Sequence, residues 1–283
     1  MKIAFSPCPN DTFVFHAWAH GLIPGAPPLD VLYADIDITN RLAAEPIGRD
    51  TPEIMKISYA ALPWVLQNYR LLPCGGALGR GNGPLVLTAG DGDGPMEPAQ
   101  LAGKRVAVPS ERSTAYLLFR LWAAQHVPGG LGEIVVMPFH EIMPAVRDGA
   151  IDAGLVIHEA RFTYPSYGLS LLADMGSWWE ADTGLPIPLG AIVARRSLDE
   201  PGRIAAWIRA SVAYAWANPE ASRAYVLEHA QEMDPAVAQA HIALYVNGFT
   251  ANLGDEGYAA IDALLERAAR QGLVPKFDPA ALR

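Results

Sequence analysis

Short apolar runs alternate with helix-like segments along this chain of 283 residues, and that alternation restricts its fold more than any other feature. Runs typical of strands cover residues 2–5, 29–33, 53–57 and 105–108, and a loop or a helical pattern follows each of them. Alternating strands and helices predict an α/β fold with mostly parallel sheets. Such sheets bind ligands beyond the carboxyl ends of their strands, so polar residues that directly follow a strand are the first candidates for a functional site.

The pattern predicts two α/β lobes joined by two crossings of the chain. One lobe comprises residues 1–86 and 190–283, and the other comprises residues 87–189. The crossings lie near residues 83–88 and 186–194. After Asp199 the chain is predicted to be helical, over residues 200–217, 219–232, 234–249 and 255–271. Two lobes joined in this way predict a hinged pair with a ligand-binding interdomain cleft.

Composition and charge exclude several classes of protein. Apolar residues make up 51% of the chain and charged residues 18%, which predicts a substantial core. The net charge of −9 argues against nucleic acid as a partner, because binding to phosphates needs a basic face. A small anionic ligand is compatible with this net charge, since local dipoles can bind an acid. No apolar run reaches the roughly 18 residues that span a bilayer, and the N-terminus lacks an export-signal pattern, so we expect a cytoplasmic protein without membrane contact.

The sequence predicts neither a metal nor a cofactor. Cys8 and Cys74 form no C-x-x-C pair, and the H-A-W-A-H stretch from His16 to His20 lacks the glutamate of the zinc-binding H-E-x-x-H motif. The glycine-rich stretch at 75–84 does not have the spacing of a dinucleotide-binding loop. The stretch instead predicts a closely packed backbone just before the first crossing between the lobes, where glycine permits unusual backbone dihedral angles.

A histidine and a carboxylate follow a predicted core strand. The apolar run at 151–157, interrupted only by Asp152, is typical of a buried strand, and His158 and Glu159 come next. At the end of a strand that faces the cleft, His158 is placed to act as a general base, because its ordinary pKa of about 6.5 leaves much of it neutral at cytoplasmic pH. A core histidine with a structural role is the alternative. Glu159 is not expected to orient His158, because adjacent strand residues point to opposite faces.

Two predicted helix starts carry hydroxyl groups. Ser58 follows the strand at 53–57, and Pro63 predicts that the helix after it is short or kinked. Ser113 and Thr114 begin a second helix. Helix N-termini offer unpaired N–H donors and the positive end of the helix dipole, so one such start in each lobe is suited to binding an acid. The alternative is that each serine only caps its helix.

Several long stretches closely resemble one enzyme family, and together they cover nearly the whole chain. They are S-P-C-P-N-D-T-F at 6–13, K-I-S-Y-A-A at 56–61, G-G-A-L-G-R-G-N-G-P-L at 75–85, V-P-S-E-R-S-T-A-Y at 108–116, I-H-E-A-R-F-T-Y-P-x-Y-G-L at 157–169, W-W-E at 178–180, G-L-P-I-P-L-G-A-I at 184–192 and S-V-A-Y-A at 211–215. The family they resemble is 1,4-dihydroxy-6-naphthoate synthase of the futalosine route to menaquinone.

This resemblance implies a fold and an activity. The fold would be that of type II periplasmic solute-binding proteins, in agreement with the two predicted lobes. The activity would be that of a carbon–carbon lyase, which converts cyclic dehypoxanthinyl futalosine to 1,4-dihydroxy-6-naphthoate and dihydroxyacetone. Removal of one proton starts the electron flow, and formation of an aromatic ring makes the reaction downhill.

The resemblance also implies which residues act. His158 would be the catalytic base, and the substrate, a small carboxylate, would contact two stretches, Lys56-Ile57-Ser58 and Ser113-Thr114. A member of the family has Thr-Thr at the second stretch, and relative to it Ser113 keeps the hydroxyl group and lacks the methyl group. The S-P-C-P-N-D-T-F motif adds three further candidate substrate contacts, Asn10, Asp11 and Thr12. Either Asn10 or Asp11 is also expected to cap the first helix.

Other functions remain open at this stage. Chorismate dehydratase of the same pathway shares the architecture, although the I-H-E-A-R-F-T-Y-P stretch favours the naphthoate synthase. A non-catalytic solute-binding protein has the same fold, and the missing export signal argues against it. A ligand-sensing domain would need a DNA-binding segment, which the sequence does not contain. The oligomeric state is not decided, and a homodimer is one option.

Overall fold

Two sheets, one in each of two units, organise the chain in the computed structural model, which describes residues 1–90, 96–230 and 234–283. Unit 1 comprises Met1–Gly79 and Pro188–Arg283, and unit 2 comprises Arg80–Ile187. The strands are β1 (Lys2–Phe5), β2 (Asp30–Tyr33), β3 (Ile54–Ser58), β4 (Tyr69–Leu71), β5 (Ala77–Gly79), β6 (Leu85–Ala89), β7 (Val106–Val108), β8 (Ile134–Val136), β9 (Ala153–Val156), β10 (Leu169–Asp174) and β11 (Ile187–Arg195).

The α-helices are α1 (Pro9–Ala19), α2 (Ile36–Ala44), α3 (Leu62–Val65), α4 (Thr114–His126), α5 (Phe139–Arg147), α6 (Ala160–Thr163), α7 (Met175–Thr183), α8 (Pro201–Ala217), α9 (Arg223–His229), α10 (Pro235–Tyr245), α11 (Gly248–Ala251) and α12 (Gly254–Arg270). Short 3₁₀ helices cover Tyr59–Ala61, Pro98–Leu101, Tyr164–Tyr167, Pro219–Ser222 and Pro279–Leu282. In the part of the chain that the structure describes, no helix has the length and apolar character needed to cross a bilayer.

The sheet of unit 1 has the strand order β2-β1-β3-β11-β4, and β5 pairs with β11 beside this path. Strand β1 is parallel to β2 and β3, whereas β11 is antiparallel to β3 and β4. The parallel strands are joined through helices α1 and α2, as parallel pairs require. Their carboxyl ends therefore lie at one edge of the sheet, and the predicted site residues of unit 1 lie in the last residues of β3 and the first turn of α1.

The sheet of unit 2 has the strand order β10-β6-β9-β7-β8. Strand β7 is parallel to β8 and β9, whereas β6 is antiparallel to β9 and β10. Both sheets are thus mixed, and the prediction of mostly parallel sheets is wrong. The antiparallel placement of β6, β10 and β11 had no local signal, because an apolar run does not encode the direction in which a strand enters a sheet.

Each unit has its own apolar core. In unit 1, helix α1 is buried along ten of its eleven residues, and Phe15 stacks on Phe5 of β1 with ring centroids 4.8 Å apart. Ile208 and Val212 of α8 belong to the same core. In unit 2, the core side chains come from the central strands and from α5, and they include Leu87, Ile142 and Val156. These cores hold the sheets in place, and the site residues extend from them.

Several local predictions are corrected by the structure. Helix α1 begins at Pro9 with Cys8 as its N-cap, so Asn10 and Asp11 lie in its first turn and neither caps it. Proline is favoured at this first position because its fixed φ angle suits the helix and its missing N–H has no partner to lose. The helix after Ser58 is short, as Pro63 predicted: a 3₁₀ turn leads into the four residues of α3.

Strand β10 and helix α7 occupy residues 169–183, where the sequence predicted neither a strand nor a helix. Asp174 caps α7 with Oδ1, which accepts hydrogen bonds from the backbone N–H groups of Gly176 and Ser177. Two predicted C-terminal helices divide. The one at 219–232 is a 3₁₀ turn followed by α9, and its last two residues lie outside the described residues, whereas the one at 234–249 is α10 followed by α11.

Candidate active site

Strand β3 brings two of the predicted site residues to one face of the unit 1 sheet. Lys56 and Ser58 are two positions apart and therefore point to the same face, whereas Ile57 points to the opposite one. All three are buried. Strand β1 pairs with β3 only as far as Met55, so the last residues of β3 lie beyond the end of β1. A contact from Ile57 to a polar ligand would have to come from its backbone.

Lys56 forms a buried ion pair with Asp11, whose carboxylate accepts further hydrogen bonds. Oδ1 of Asp11 also accepts from Nδ2 of Asn10 at 2.9 Å, and Oδ2 accepts from Oγ of Ser6 at 2.7 Å. A buried charge is stable only when it is paired and hydrogen-bonded. The pair leaves Lys56 with two further N–H donors, because an ammonium group carries three.

A glycine makes room for the Lys56 side chain. Gly190 of β11 lies opposite Ser58 in the antiparallel pairing of β11 with β3. A Cβ atom at Gly190 would lie 2.8 Å from Cε of Lys56, closer than real Cβ contacts come. Gly190, which lies in the second predicted crossing, therefore contributes to the shape of this site.

Ser58 is held by an asparagine that the sequence analysis did not single out. Nδ2 of Asn40, on α2, donates to Oγ of Ser58 at 3.0 Å, and Oδ1 of Asn40 accepts from the backbone N–H of Ser58 at 2.7 Å. Because Oγ accepts from Asn40, the hydroxyl proton of Ser58 is directed elsewhere and can be donated to a ligand. A polar residue on the buried face of an amphipathic helix was the available signal for Asn40.

Thr12 has a local role in the structure. Its Oγ1 donates to the carbonyl oxygens of Cys8 and Pro9, at 3.0 and 3.3 Å.

Ser113 is the N-cap of α4, as one alternative predicted. Its Oγ accepts from the N–H of Tyr116 at 3.1 Å and donates to the carbonyl oxygen of Ser110 at 2.9 Å. Thr114 is the first residue of α4 and is buried, so its N–H lies at the positive end of the helix dipole.

His158 lies two residues beyond β9 and has a left-handed backbone conformation, with φ of 56°. Only Glu200 shares this property among the non-glycine residues that the structure describes. Histidine tolerates this region better than most residues, yet the conformation is costly and concentrates at functional sites. The rings of Phe139 and His158 form a T-shaped contact, with centroids 5.4 Å apart. Glu159 has a right-handed helical conformation, so strand alternation does not govern this pair.

The segment that follows His158 is fixed by Arg161, a second residue that the sequence analysis missed. Nη1 of Arg161 donates to the carbonyl oxygen of Gly83 at 2.8 Å, and Nη2 donates to Oδ2 of Asp174 at 2.6 Å. Both side chains of this ion pair are mostly buried. Arg161 therefore ties the start of α6 to two other parts of unit 2, which restricts the position of His158 three residues earlier.

The predicted site residues of unit 2 leave the same edge of its sheet. Strands β7 and β9 are parallel neighbours, with Val106 paired to Ala153 and Ala107 to Gly154. The loop after β7 leads to Ser113, and the turn after β9 contains His158. Binding groups of α/β proteins collect at such an edge.

The histidine pair of α1 forms a separate aromatic cluster. The rings of His16 and His20 lie 4.4 Å apart, and Tyr225 of α9 contacts both of them. Burial, and then the charge of His20, lower the pKa of the His16 imidazole from its ordinary value. This cluster belongs to unit 1 and contains none of the predicted catalytic or binding residues.

Solved structures identify the class of fold. An alkanesulfonate-binding protein from Xanthomonas axonopodis pv. citri matches with a TM-score of 0.71 at 14% identity, covering 98% of this chain and 94% of that one. A protein from Archaeoglobus fulgidus matches with a TM-score of 0.86 at 33% identity, covering 96% of this chain and 98% of that one. The fold is that of the periplasmic binding proteins, as the family resemblance implied.

The particular family follows from the sequence matches. Residues 1–270 match the model of a family described as menaquinone biosynthesis, and the chain belongs to that family. A Streptomyces coelicolor protein named 1,4-dihydroxy-6-naphthoate synthase is 68% identical over 100% of this chain and 97% of its own length. A Thermus thermophilus protein of the same name is 46% identical over 96% of this chain and 95% of its own length.

Proposed function

We propose that this protein is a 1,4-dihydroxy-6-naphthoate synthase, which converts cyclic dehypoxanthinyl futalosine to 1,4-dihydroxy-6-naphthoate and dihydroxyacetone. The observation that carries the proposal is the 68% identity, along the whole chain, with the Streptomyces coelicolor protein of that name. The residues that the resemblance assigned to the reaction lie at the carboxyl ends of β3 and β9 and at the start of α4, which agrees with such a role.

In the proposed reaction His158 is the general base. Its imidazole takes one proton from the substrate, a carbon–carbon bond breaks, and the electrons of that bond complete the new aromatic ring. The imidazolium then returns the proton to the products, which restores the base. All atoms of the substrate appear in the two products, so the step needs no oxidant and no co-reactant. The left-handed backbone at His158 supports this role, because a costly conformation persists only where the surrounding structure enforces it.

Each unit presents hydrogen-bond donors that are suited to a substrate carboxylate. In unit 1 these are the ammonium group of Lys56, the hydroxyl group of Ser58 and the backbone of Ile57. In unit 2 they are the N–H groups at the start of α4, with Thr114 as its first residue. Ser113 would act mainly by holding that helix start, because its hydroxyl group already donates to Ser110 and accepts from Tyr116.

The direct test is to incubate the purified protein with cyclic dehypoxanthinyl futalosine and to follow the products by mass spectrometry. The proposal expects 1,4-dihydroxy-6-naphthoate and dihydroxyacetone in equal amounts, with their release slowed about 10²–10⁴-fold in the variant His158→Asn. The same assay with chorismate separates this function from that of chorismate dehydratase. Binding of the futalosine derivative without turnover would instead indicate a solute-binding protein.

A further inference from the structure

Asn82, in the glycine-rich segment before β6, has a side chain without a hydrogen-bonding partner in a fully buried position. Its exposed fraction is 0%, and neither Nδ2 nor Oδ1 has a partner among residues 1–90, 96–230 and 234–283. Buried polar groups are nearly always hydrogen-bonded, and leaving one unpaired costs free energy. A buried amide that the described protein residues leave unpaired is a candidate for binding a ligand.

The backbone around Asn82 is firmly held within unit 2, so the unpaired amide does not result from a loose loop. The N–H of Gly81 donates to Oε1 of Glu180 at 2.7 Å. The carbonyl oxygen of Gly83 accepts from Arg161 at 2.8 Å, and that of Pro84 accepts from the N–H of Met175 at 2.9 Å. The backbone of Gly83 also packs against that of Gly176, where any side chain would clash. These contacts fix the position of Asn82 on both sides.

The strand register places Asn82 at the same sheet edge as His158. Strands β6 and β9 are antiparallel, with Leu85 opposite Val156. The residues that precede Leu85 and those that follow Val156 therefore leave the sheet on the same side. Arg161 connects the two segments, because it follows His158 by three residues and donates to the residue after Asn82. The unpaired amide thus belongs to the surroundings of the proposed base.

We propose that Asn82 is a substrate-binding residue, whose carboxamide recognises a hydroxyl-bearing part of the substrate. A carboxamide presents donors and an acceptor side by side, and a hydroxyl group or a pair of hydroxyl groups satisfies both. A carboxylate offers acceptors alone and would leave Oδ1 of Asn82 unpaired. The inference rests on the proposed function, in which the three-carbon fragment that leaves carries hydroxyl groups.

The test compares Asn82→Leu with the wild-type protein in two measurements. Leucine is close to asparagine in size and removes both polar atoms. We expect kcat/KM for cyclic dehypoxanthinyl futalosine to fall about 10- to 100-fold, because a site built for a hydroxyl group discriminates through its polar partners. We expect the thermal midpoint of the ligand-free protein to stay the same or rise, since no internal hydrogen bond is lost. Should leucine not fit, Asn82→Ala has the same expected effect on kcat/KM.

The control is Asn247→Leu. Both amide atoms of Asn247 are used internally: Nδ2 donates to Leu78 at 3.0 Å, and Oδ1 accepts from the N–H of Phe249 at 2.9 Å. This variant should lower the thermal midpoint and leave kcat/KM within about twofold of the wild-type value. An unchanged kcat/KM in the Asn82 variants, with an active wild type, would mean that a buried water satisfies the amide, and it would overturn the inference alone. A wild-type protein that does not turn over the substrate would overturn the proposed function and this inference together.

Discussion

Arg161 and Asp174 form an ion pair in which Nη2 lies 2.6 Å from Oδ2, and each partner also holds a separate segment of unit 2. Asp174 caps α7 with its other carboxylate oxygen, and Arg161 donates to Gly83 next to Asn82. The segment after the proposed base, the start of α7 and the glycine-rich segment are therefore connected through one pair of side chains. Changes at this pair should affect catalysis as well as stability.

Replacing Arg161 by Met should separate those two effects. Breaking a mostly buried pair leaves an uncompensated carboxylate, which we expect to lower the free energy of unfolding by about 2–4 kcal/mol. A displaced His158 should reduce kcat about tenfold or more while KM changes little, and urea unfolding with steady-state kinetics measures both. The control, Arg147→Ala, removes an exposed pair with Asp148 and should change neither quantity. Lower stability with an unchanged kcat would limit Arg161 to a structural role.

The variant His158→Asn tests the base directly. Asparagine has similar reach, tolerates a left-handed backbone and cannot accept a proton at neutral pH. General-base catalysis contributes typically about 10²–10⁴-fold, so kcat should fall by this factor while substrate affinity changes little. His140→Asn, at an exposed position of unit 2, serves as the control and should retain wild-type turnover. Near-normal turnover by a folded His158→Asn would exclude the histidine as the base.

The variant Gly190→Ala should weaken substrate binding without unfolding the protein. The new methyl group would lie 2.8 Å from Cε of Lys56, so the flexible lysine side chain must shift, which disturbs its ion pair with Asp11. We expect KM to rise about tenfold, which corresponds to about 1.4 kcal/mol. Gly202→Ala, in the first turn of α8 with open space around it, should leave KM unchanged. An unaltered KM for Gly190→Ala would remove Lys56 from the binding site.

The stability of unit 1 should depend on pH through His16. Burial and the neighbouring His20 lower the pKa of His16 in the folded protein, whereas the unfolded chain keeps a value of about 6.5. The unfolded chain binds more protons between these two values, so the free energy of unfolding should fall as the pH decreases below about 6.5. His16→Phe should flatten this dependence in denaturation curves recorded from pH 8 to pH 5. His140→Gln should keep the wild-type slope, and an identical slope in His16→Phe would rule out this source.

The elements that carry most of the proposed site were predictable from local sequence. Apolar runs located β3 and β9, and the residues directly after such runs gave Ser58 and His158. The prediction that Asn10 or Asp11 caps α1 was wrong because Pro9 determines where that helix starts. Helix α7 was missed because its tryptophan-rich composition obscured the capping signal of Asp174.

Long-range pairing was the part that local sequence could not supply. Asn40 and Ser58 are 18 residues apart, and Arg161 and Gly83 are 78 residues apart, so neither contact has a motif of its own. The direction of β6, β10 and β11 also depends on where the chain returns to each sheet. The glycine-rich segment was correctly expected to be closely packed, but the unpaired amide of Asn82 becomes visible only when its surroundings are known.

The discontinuity of unit 1 has a consequence for synthesis on the ribosome. Strand β3 and its neighbour β11 are separated by the whole of unit 2, which is one continuous stretch from Arg80 to Ile187. All strands of the unit 2 sheet have therefore left the ribosome before the unit 1 sheet can acquire its β11 strand. Unit 2 is able to fold before β11 is available to the N-terminal strands. We therefore expect unit 1, which contains both ends of the chain, to complete its folding last.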